Sequence, residues 1–323
     1  MKNLIPWSLR GIGPFLNTYG DGFFFKSIQK TRPIAVNPDA PTAIHSAVPH
    51  RYLNAYLFAI KSFLRFHHDV AVIVHDDGSL RSEDYRIIAH HIQGVKIISR
   101  QQANETFRNK IQNDFLNQVR TSYTSYLKLF DSTLFSEGKR IVILDTDTLF
   151  IKKPQQIIDW CINGGQPWFH AAPIGSWKVK PSAIAEHARL QDTHIQTLIS
   201  DNLVDINREL NTQYRMEQGF CSGFIGYEAD TIKFADLHKL FTLLHNKFGD
   251  KIFLWGAEQT VHGLILCGKN AVKLPIEDYF VFTQGNASTA ENGVFIHFVG
   301  ENRFYKFIYP KMASKILSEL PST

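Results

Sequence analysis

Cysteine is scarce in this chain, with three among 323 residues, and Cys161, Cys221 and Cys267 are odd in number, far apart and set among apolar neighbours. That spacing argues against a disulfide framework and against a thiolate zinc site, and predicts buried free thiols. Long apolar runs are missing as well. No stretch approaches the roughly 18 residues that cross a bilayer. The start, Met1-Lys2-Asn3-Leu4-Ile5-Pro6-Trp7, lacks a signal peptide's apolar region and cleavage site, so the expected location is cytoplasmic. No lysine or arginine block occurs. The net charge of +5 is spread along the sequence, unlike the basic track of a nucleic-acid binder, so nucleic acid is not an expected partner. The small positive excess suits an anionic small substrate or peripheral contact with an acidic membrane surface. Internal repeats and low-complexity linkers are absent too.

What is present is an ordinary globular composition, 44% hydrophobic and 20% charged, in a chain long enough for one large α/β domain or two smaller ones. Residues 1–41 carry glycine, proline and the Phe23-Phe24-Phe25 cluster without periodicity, and read as an irregular extension packed on the domain. From Thr42 the pattern alternates. Thr42–Val48 reads as a strand, Tyr52–Phe66 as a helix, Val70–Val74 as a second strand, Ser82–His91 as a helix and Val95–Ile98 as a third strand. An interrupted helical stretch then runs from about Gln101 to Phe135. Such alternation predicts a mostly parallel sheet with right-handed crossovers. Pro154–Trp160 reads as a short helix and residues 169–216 as a polar loop-and-helix insertion over a site. Phe220–Tyr227 and Val294–Phe298 read as later strands, and Ile232–Phe248 as an amphipathic helix.

The chain is organised around Arg140-Ile141-Val142-Ile143-Leu144-Asp145-Thr146-Asp147, an apolar run ending in two acids. Unbroken aliphatic residues suit a central strand covered on both faces. Strand alternation would point Asp145 and Asp147 the same way. Paired carboxylates at the carboxyl end of a parallel strand suit a hard divalent cation, Mn²⁺ or Mg²⁺, holding a phosphorylated ligand. With 30 acids in the chain, about three acid-x-acid triplets arise by chance, so the apolar lead-in carries much of the weight.

Four motifs stand in one order: Asp145-Thr146-Asp147, Cys221-Ser222-Gly223, Trp255-Gly256-Ala257-Glu258-Gln259 and His297-Phe298-Val299-Gly300. From about Thr42 to Tyr305 the chain resembles family 8 glycosyltransferases, the glycogenin-like and lipopolysaccharide galactosyl- and glucosyltransferases, as a divergent member. The resemblance implies a single α/β domain of the A type, a mixed, mostly parallel sheet flanked by helices, with a Rossmann-like nucleotide-binding half at 42–165 and a donor-sugar and acceptor half at 166–323. It implies a retaining, metal-dependent transfer of a hexose from a UDP-sugar to a glycan or glycolipid acceptor. Asp145, Asp147 and His297 would be the metal ligands, and Glu258 and Gln259 would stand at the transferring sugar. Ala47, Val48, Tyr52, His75 and Asp76 would line the base and ribose pocket, and Lys128, Gly300 and Arg303 the diphosphate. The family's Asn-Ser/Ala-Gly is Cys221-Ser222-Gly223 here, which loses an amide. Its Asp-Gln-Asp is Glu258-Gln259-Thr260, which lengthens one acid and removes the other.

Two rivals remain at this level. Asp145-Thr146-Asp147-Thr148 also fits the signature of haloacid-dehalogenase-like Mg²⁺-dependent phosphatases, in which the first aspartate attacks phosphorus. That signature normally lies near the chain start. A non-catalytic nucleotide- or sugar-binding domain is the other, although it has no need of Asp145, Asp147 and His297 together.

Overall fold

The apolar runs become neighbouring strands of one sheet in the computed structural model, which describes residues 12–172 and 194–322. Its strands are β1 (Ile34–Ala35), β2 (Thr42–Val48), β3 (Ala71–Asp76), β4 (Ile92–Gln93), β5 (Lys96–Ile98), β6 (Arg140–Leu144), β7 (Thr148–Phe150), β8 (Trp168–Ala171), β9 (Phe220–Tyr227), β10 (Val272–Lys273), β11 (Tyr279–Val281) and β12 (Phe295–His297). The main sheet runs β5-β3-β2-β6-β9-β8-β11-β12-β7, with β10 also beside β8, while β1 and β4 pair separately. β5, β3, β2 and β6 are parallel, and β8, β11 and β12 share their direction; β9 and β7 run against it. The sheet is thus mixed and mostly parallel. β3 and β9 are buried along their whole length, as strands covered on both faces should be.

Three residues join β6 to β7, although five strand spacings separate them along the sheet. A flat sheet would place them about 24 Å apart. Four residue steps reach at most about 14 Å. The sheet therefore curls, and the Asp145-Thr146-Asp147 link closes the gap between its two halves.

Every residue of the Leu53–Leu64 helix is buried, between β7 and the N-terminal segment. That segment differs from the irregular extension expected. Ile12–Gly20 is α-helical, Asp21–Phe25 forms a π turn and Lys26–Lys30 a 3₁₀ turn, because the apolar side chains of Phe25 and Ile28 gain a core to bury into. Asp21 accepts hydrogen bonds from the Ala55 N–H at 2.6 Å and the Asn54 N–H at 3.2 Å. It caps, from a distant part of the chain, amides that the first helical turn leaves unpaired.

The stretch expected to be helical from about Gln101 to Phe135 is three helices, Arg100–Ile111, Asp114–Ser122 and Tyr126–Leu134. Ser99 and Asn113 cap the first two through their side chains. Of the expected 169–216 insertion, residues 173–193 lie outside the described residues, as do residues 1–11 of the extension. Its first residues are not loop but strand, since β8 occupies Trp168–Ala171 between β9 and β11. Two short helices, Ile195–Asp201 and Leu203–Leu210, follow later. The closing helix Ile308–Glu319 packs Tyr309, Met312 and Ile316 into the core. Among the described residues no helix is long and apolar enough to cross a membrane.

Candidate active site

Asp145 and Asp147 are not successive same-face residues of one strand, as alternation suggested, but the two ends of the link between β6 and β7. Each is still held by a sheet. The Asp145 N–H donates to the Gly223 carbonyl at 2.8 Å, extending the β6–β9 ladder, and the Phe298 N–H donates to the Asp147 carbonyl at 2.8 Å beside β12. Thr148 Oγ1 closes the turn onto the Asp145 carbonyl at 2.9 Å. Two backbone frames fix the pair, and side-chain alternation plays no part.

Their carboxylates meet at His297, near the end of β12. Its Nε2 lies 3.1 Å from Asp147 Oδ1 and 3.7 Å from Asp145 Oδ2. Two cations flank them. Lys128 Nζ, from the Tyr126–Leu134 helix, sits 3.1 Å from Asp145 Oδ1 and 3.7 Å from Glu258 Oε2, while Arg303 donates to Asp147 Oδ2 at 2.5 Å. Arg303 also donates through Nε to the Phe298 carbonyl at 3.0 Å, and its guanidinium stacks 4.6 Å from the Tyr52 ring centre.

Burial alone would strip charge from these groups, yet their partners win. Asp147 is held well below the usual carboxylate range by Arg303 and His297 against the cost of burial. Lys128 is raised above the ordinary lysine value by Asp145 and Glu258 despite desolvation. His297, buried, is nonetheless pushed well up by Asp147 and Cys221. Glu258 is depressed by Lys128 and His262 in spite of burial. Its Oε1 faces His262 Nδ1 at 2.6 Å, its Oε2 accepts from Ser222 Oγ at 3.2 Å, and Gln259 Oε1 accepts from the Ser222 N–H at 3.3 Å. Gly256, at φ +92, starts the Ala257–Gly268 helix that carries both.

One connected network thus holds Asp145, Asp147, His297, Lys128, Arg303, Tyr52, Glu258 and Gln259. The other candidate residues stand apart from it. Val48 is sealed in the core, and His75 is buried against His45 and Phe135. Asp76 spends its carboxylate on the Gly78 and Leu80 amides, at 2.7 and 3.1 Å, and on the Tyr85 hydroxyl at 2.8 Å. Ala47 is half-buried at the end of β2, and Gly300 is exposed with a positive φ of 65°.

Sequence reasoning passed over His170 and set Cys221 aside. His170 Nε2 lies 3.2 Å from His297 Nδ1, and Cys221 Sγ lies 3.5 Å from the same nitrogen. Burial would raise the Cys221 thiol, but His170 and His297 bring it down to about 5. The available signal was Trp168-Phe169-His170-Ala171, a short aromatic run behind Gly164, Gly165 and Pro167, which is a strand pattern.

No family profile and no curated protein matches the chain. In solved structures it is similar to glycosyltransferases. The galactosyltransferase LgtC, in complex with donor and acceptor sugar analogues, is 14% identical over 87% of this chain and 97% of that one, with a TM-score of 0.49. The bifunctional glycosyltransferase WbbM has the same identity and TM-score over 89% of this chain, which spans 51% of WbbM. The mannosyltransferase Ktr4p of S. cerevisiae, in complex with GDP, is 12% identical over 76% of this chain and 74% of its own, with a TM-score of 0.47. At such identities the likeness concerns chain path alone, and the chemistry rests on the residues described above.

Proposed function

We propose that this protein transfers a hexose from a nucleoside diphosphate sugar, a UDP-sugar by its motifs, to a carbohydrate or glycolipid acceptor with retention of configuration. The observation that carries the reading is the convergence of Asp145, Asp147 and His297 between Lys128 and Arg303 at the curled edge of a mostly parallel sheet. Two carboxylates and an imidazole within 4.8 Å of one another are a donor set that fits Mn²⁺ or Mg²⁺. Asp145 Oδ2, Asp147 Oδ1 and His297 Nε2 would hold the ion. When bound, it would neutralise charge growing on the leaving diphosphate.

The chain's own residues supply the rest. Lys128 and Arg303 are fixed cations at that edge, already ordered by their aspartates, and preorganised charge is the largest contribution to most such reactions. Arg303 offers a planar fork suited to two phosphate oxygens, and Lys128 a point charge. Stacked beneath Arg303, Tyr52 would orient the nucleotide. Glu258 is buried, with both oxygens committed to His262, Ser222 and Lys128. It is therefore a poor general base for an inverting attack, which supports retention. The phosphatase reading loses ground, because among the described residues the group that joins Asp145 and Asp147 within ligand reach is His297, with no third carboxylate.

The test is calorimetry of UDP binding with and without Mn²⁺, followed by incubation with a panel of nucleotide sugars and measurement of released nucleoside diphosphate. Metal-dependent binding that Asp147→Ala removes, together with release from one donor, is the expected result. Equal binding by Asp147→Ala in Mn²⁺ would defeat the metal assignment, and binding without turnover would leave a non-catalytic domain.

A further inference from the structure

Behind the aspartate pair, on the other side of the same imidazole, three more ligand atoms converge. His170 and Cys221 are directly opposed residues of the antiparallel β8–β9 pair, so their side chains share a face; a register shift between Phe169 and His170 sets that opposition. β12 brings His297 alongside. His170 Nε2, Cys221 Sγ and His297 Nδ1 lie within 4.8 Å of one another, and all three residues are buried. We infer that His170, Cys221 and His297 form a second cation site, selective for a thiophilic divalent ion of the Zn²⁺ class and sharing His297 with the aspartate site.

Three geometric facts carry this. The first is spacing. Bond lengths of about 2.05 Å to nitrogen and 2.3 Å to sulfur in a tetrahedron put two nitrogens about 3.3 Å apart and a nitrogen and a sulfur about 3.6 Å apart. The observed separations from His297 Nδ1 are 3.2 Å to His170 Nε2 and 3.5 Å to Cys221 Sγ. The second is direction. A ring nitrogen has one in-plane lobe, which cannot hydrogen-bond both neighbours well, whereas a cation between the three atoms satisfies all of them. The third is what holds each imidazole from behind. His170 Nδ1–H donates to the Phe224 carbonyl at 3.0 Å, and His297 Nε2 faces the Asp147 carboxylate at 3.1 Å. Ligating histidines are ordinarily fixed by a carbonyl or a carboxylate on the far nitrogen in this way.

Ligand softness separates the two sites. A thiolate with two imidazoles favours Zn²⁺ or Co²⁺, while two carboxylates with one imidazole favour Mn²⁺ or Mg²⁺. Occupation of Nδ1 leaves Nε2 protonated and bonded to Asp147, so it cannot also serve an ion between the aspartates. That consequence rests on the proposed function: a thiophilic ion would inhibit metal-dependent transfer by taking away its histidine. Spacing in the sequence could not show this site, because three separate strands supply its ligands.

Cobalt tests the site without donor or turnover. The full chain carrying Cys161→Ala and Cys267→Ala keeps Cys221 as its one thiol. After chelation it is titrated with Co²⁺ and followed by absorbance. A thiolate-to-cobalt charge-transfer band that saturates at one equivalent, is abolished by one equivalent of Zn²⁺ and is lost on adding His170→Asn supports the site. Absence of the band in the doubly substituted chain, or its persistence unchanged with His170→Asn, overturns it. Failure of every nucleotide sugar to turn over would sink the transferase reading and leave this spectrum as it is.

Discussion

Gly223 lies against His297 so closely that a Cβ placed on it would stand 2.2 Å from the imidazole Cε1, 2.6 Å from Nδ1 and 3.0 Å from Asp145 Oδ2. The glycine is required for room, since the β9 backbone must pass beneath the ligand set while its carbonyl accepts from Asp145. Gly223→Ala should therefore cost about 1–3 kcal/mol of stability through overpacking. It should also weaken Mn²⁺ binding by roughly 10- to 100-fold, the scale seen when a group supporting a metal ligand is displaced. Thermal melts and Mn²⁺ titration by electron paramagnetic resonance measure the two losses. Unchanged Mn²⁺ affinity would mean that His297 is not part of the cation site.

Arg303 and Asp147 are a buried pair, each side chain 10% exposed. Arg303→Ala leaves the Asp147 carboxylate without its main counter-charge, and breaking such a pair costs about 3–5 kcal/mol. If the guanidinium also holds the diphosphate, UDP should lose more affinity than uridine in the same variant. Calorimetry of both ligands in Mn²⁺ compares them, and equal losses would place Arg303 outside the phosphate site. Lys128→Ala should show the same ordering with a smaller difference, because an ammonium holds oxygens singly.

Glu258 supports Lys128, Ser222 and His262 from a buried position, and Glu258→Gln keeps its shape while removing its charge. Turnover should fall without vanishing, and an α-linked donor should give an α-linked product. Proton NMR of the first-formed glycoside reads the anomer. A β-anomeric signal would promote Glu258 to general base and reverse the assignment of retention.

Asp21 gives a pH dependence with a definite sign. Burial pushes its carboxyl up from 3.8 to about 6, despite the hydrogen bonds from Ala55 and Asn54 and the charge of Arg303 that pull it down. The folded state thus holds the proton more tightly than the unfolded chain. Its stabilising contribution is fully present below about pH 4 and is lost as pH rises through about 6, a change of about 3 kcal/mol for two pKa units. Asp21→Asn cannot titrate. The stability of the parent relative to this variant, from urea melts, should therefore fall by about 2 kcal/mol between pH 4 and pH 7, the unfolded carboxyl being already partly ionised at pH 4. A flat difference would show that the N-terminal segment does not bury the acid.

The sequence alone marks the buried strands and the mostly parallel sheet they build, because burial on both faces leaves a compositional trace; that β7 and β9 run against the others it does not show. Ile141–Leu144 and Phe220–Tyr227 carry that trace plainly. It also determined which residue types end up together. Asp145, Asp147, His297, Lys128 and Arg303 stand out as charged or ligating groups beside apolar strands, and their motif order linked them. How they meet is set by the fold. The three-residue link reaches from β6 to β7 only because the sheet curls, and curling depends on strand order, which no local pattern encodes. The N-terminal segment shows no periodicity because it folds by covering the Leu53–Leu64 helix. β8 is four residues long, too short for alternation to register, so His170 and its partnership with Cys221 stayed hidden. His75, Asp76 and Val48 show the converse, since resemblance assigned them to the base and ribose pocket while the fold buries Val48 in the core, stacks His75 on His45 and bonds Asp76 within its own turn.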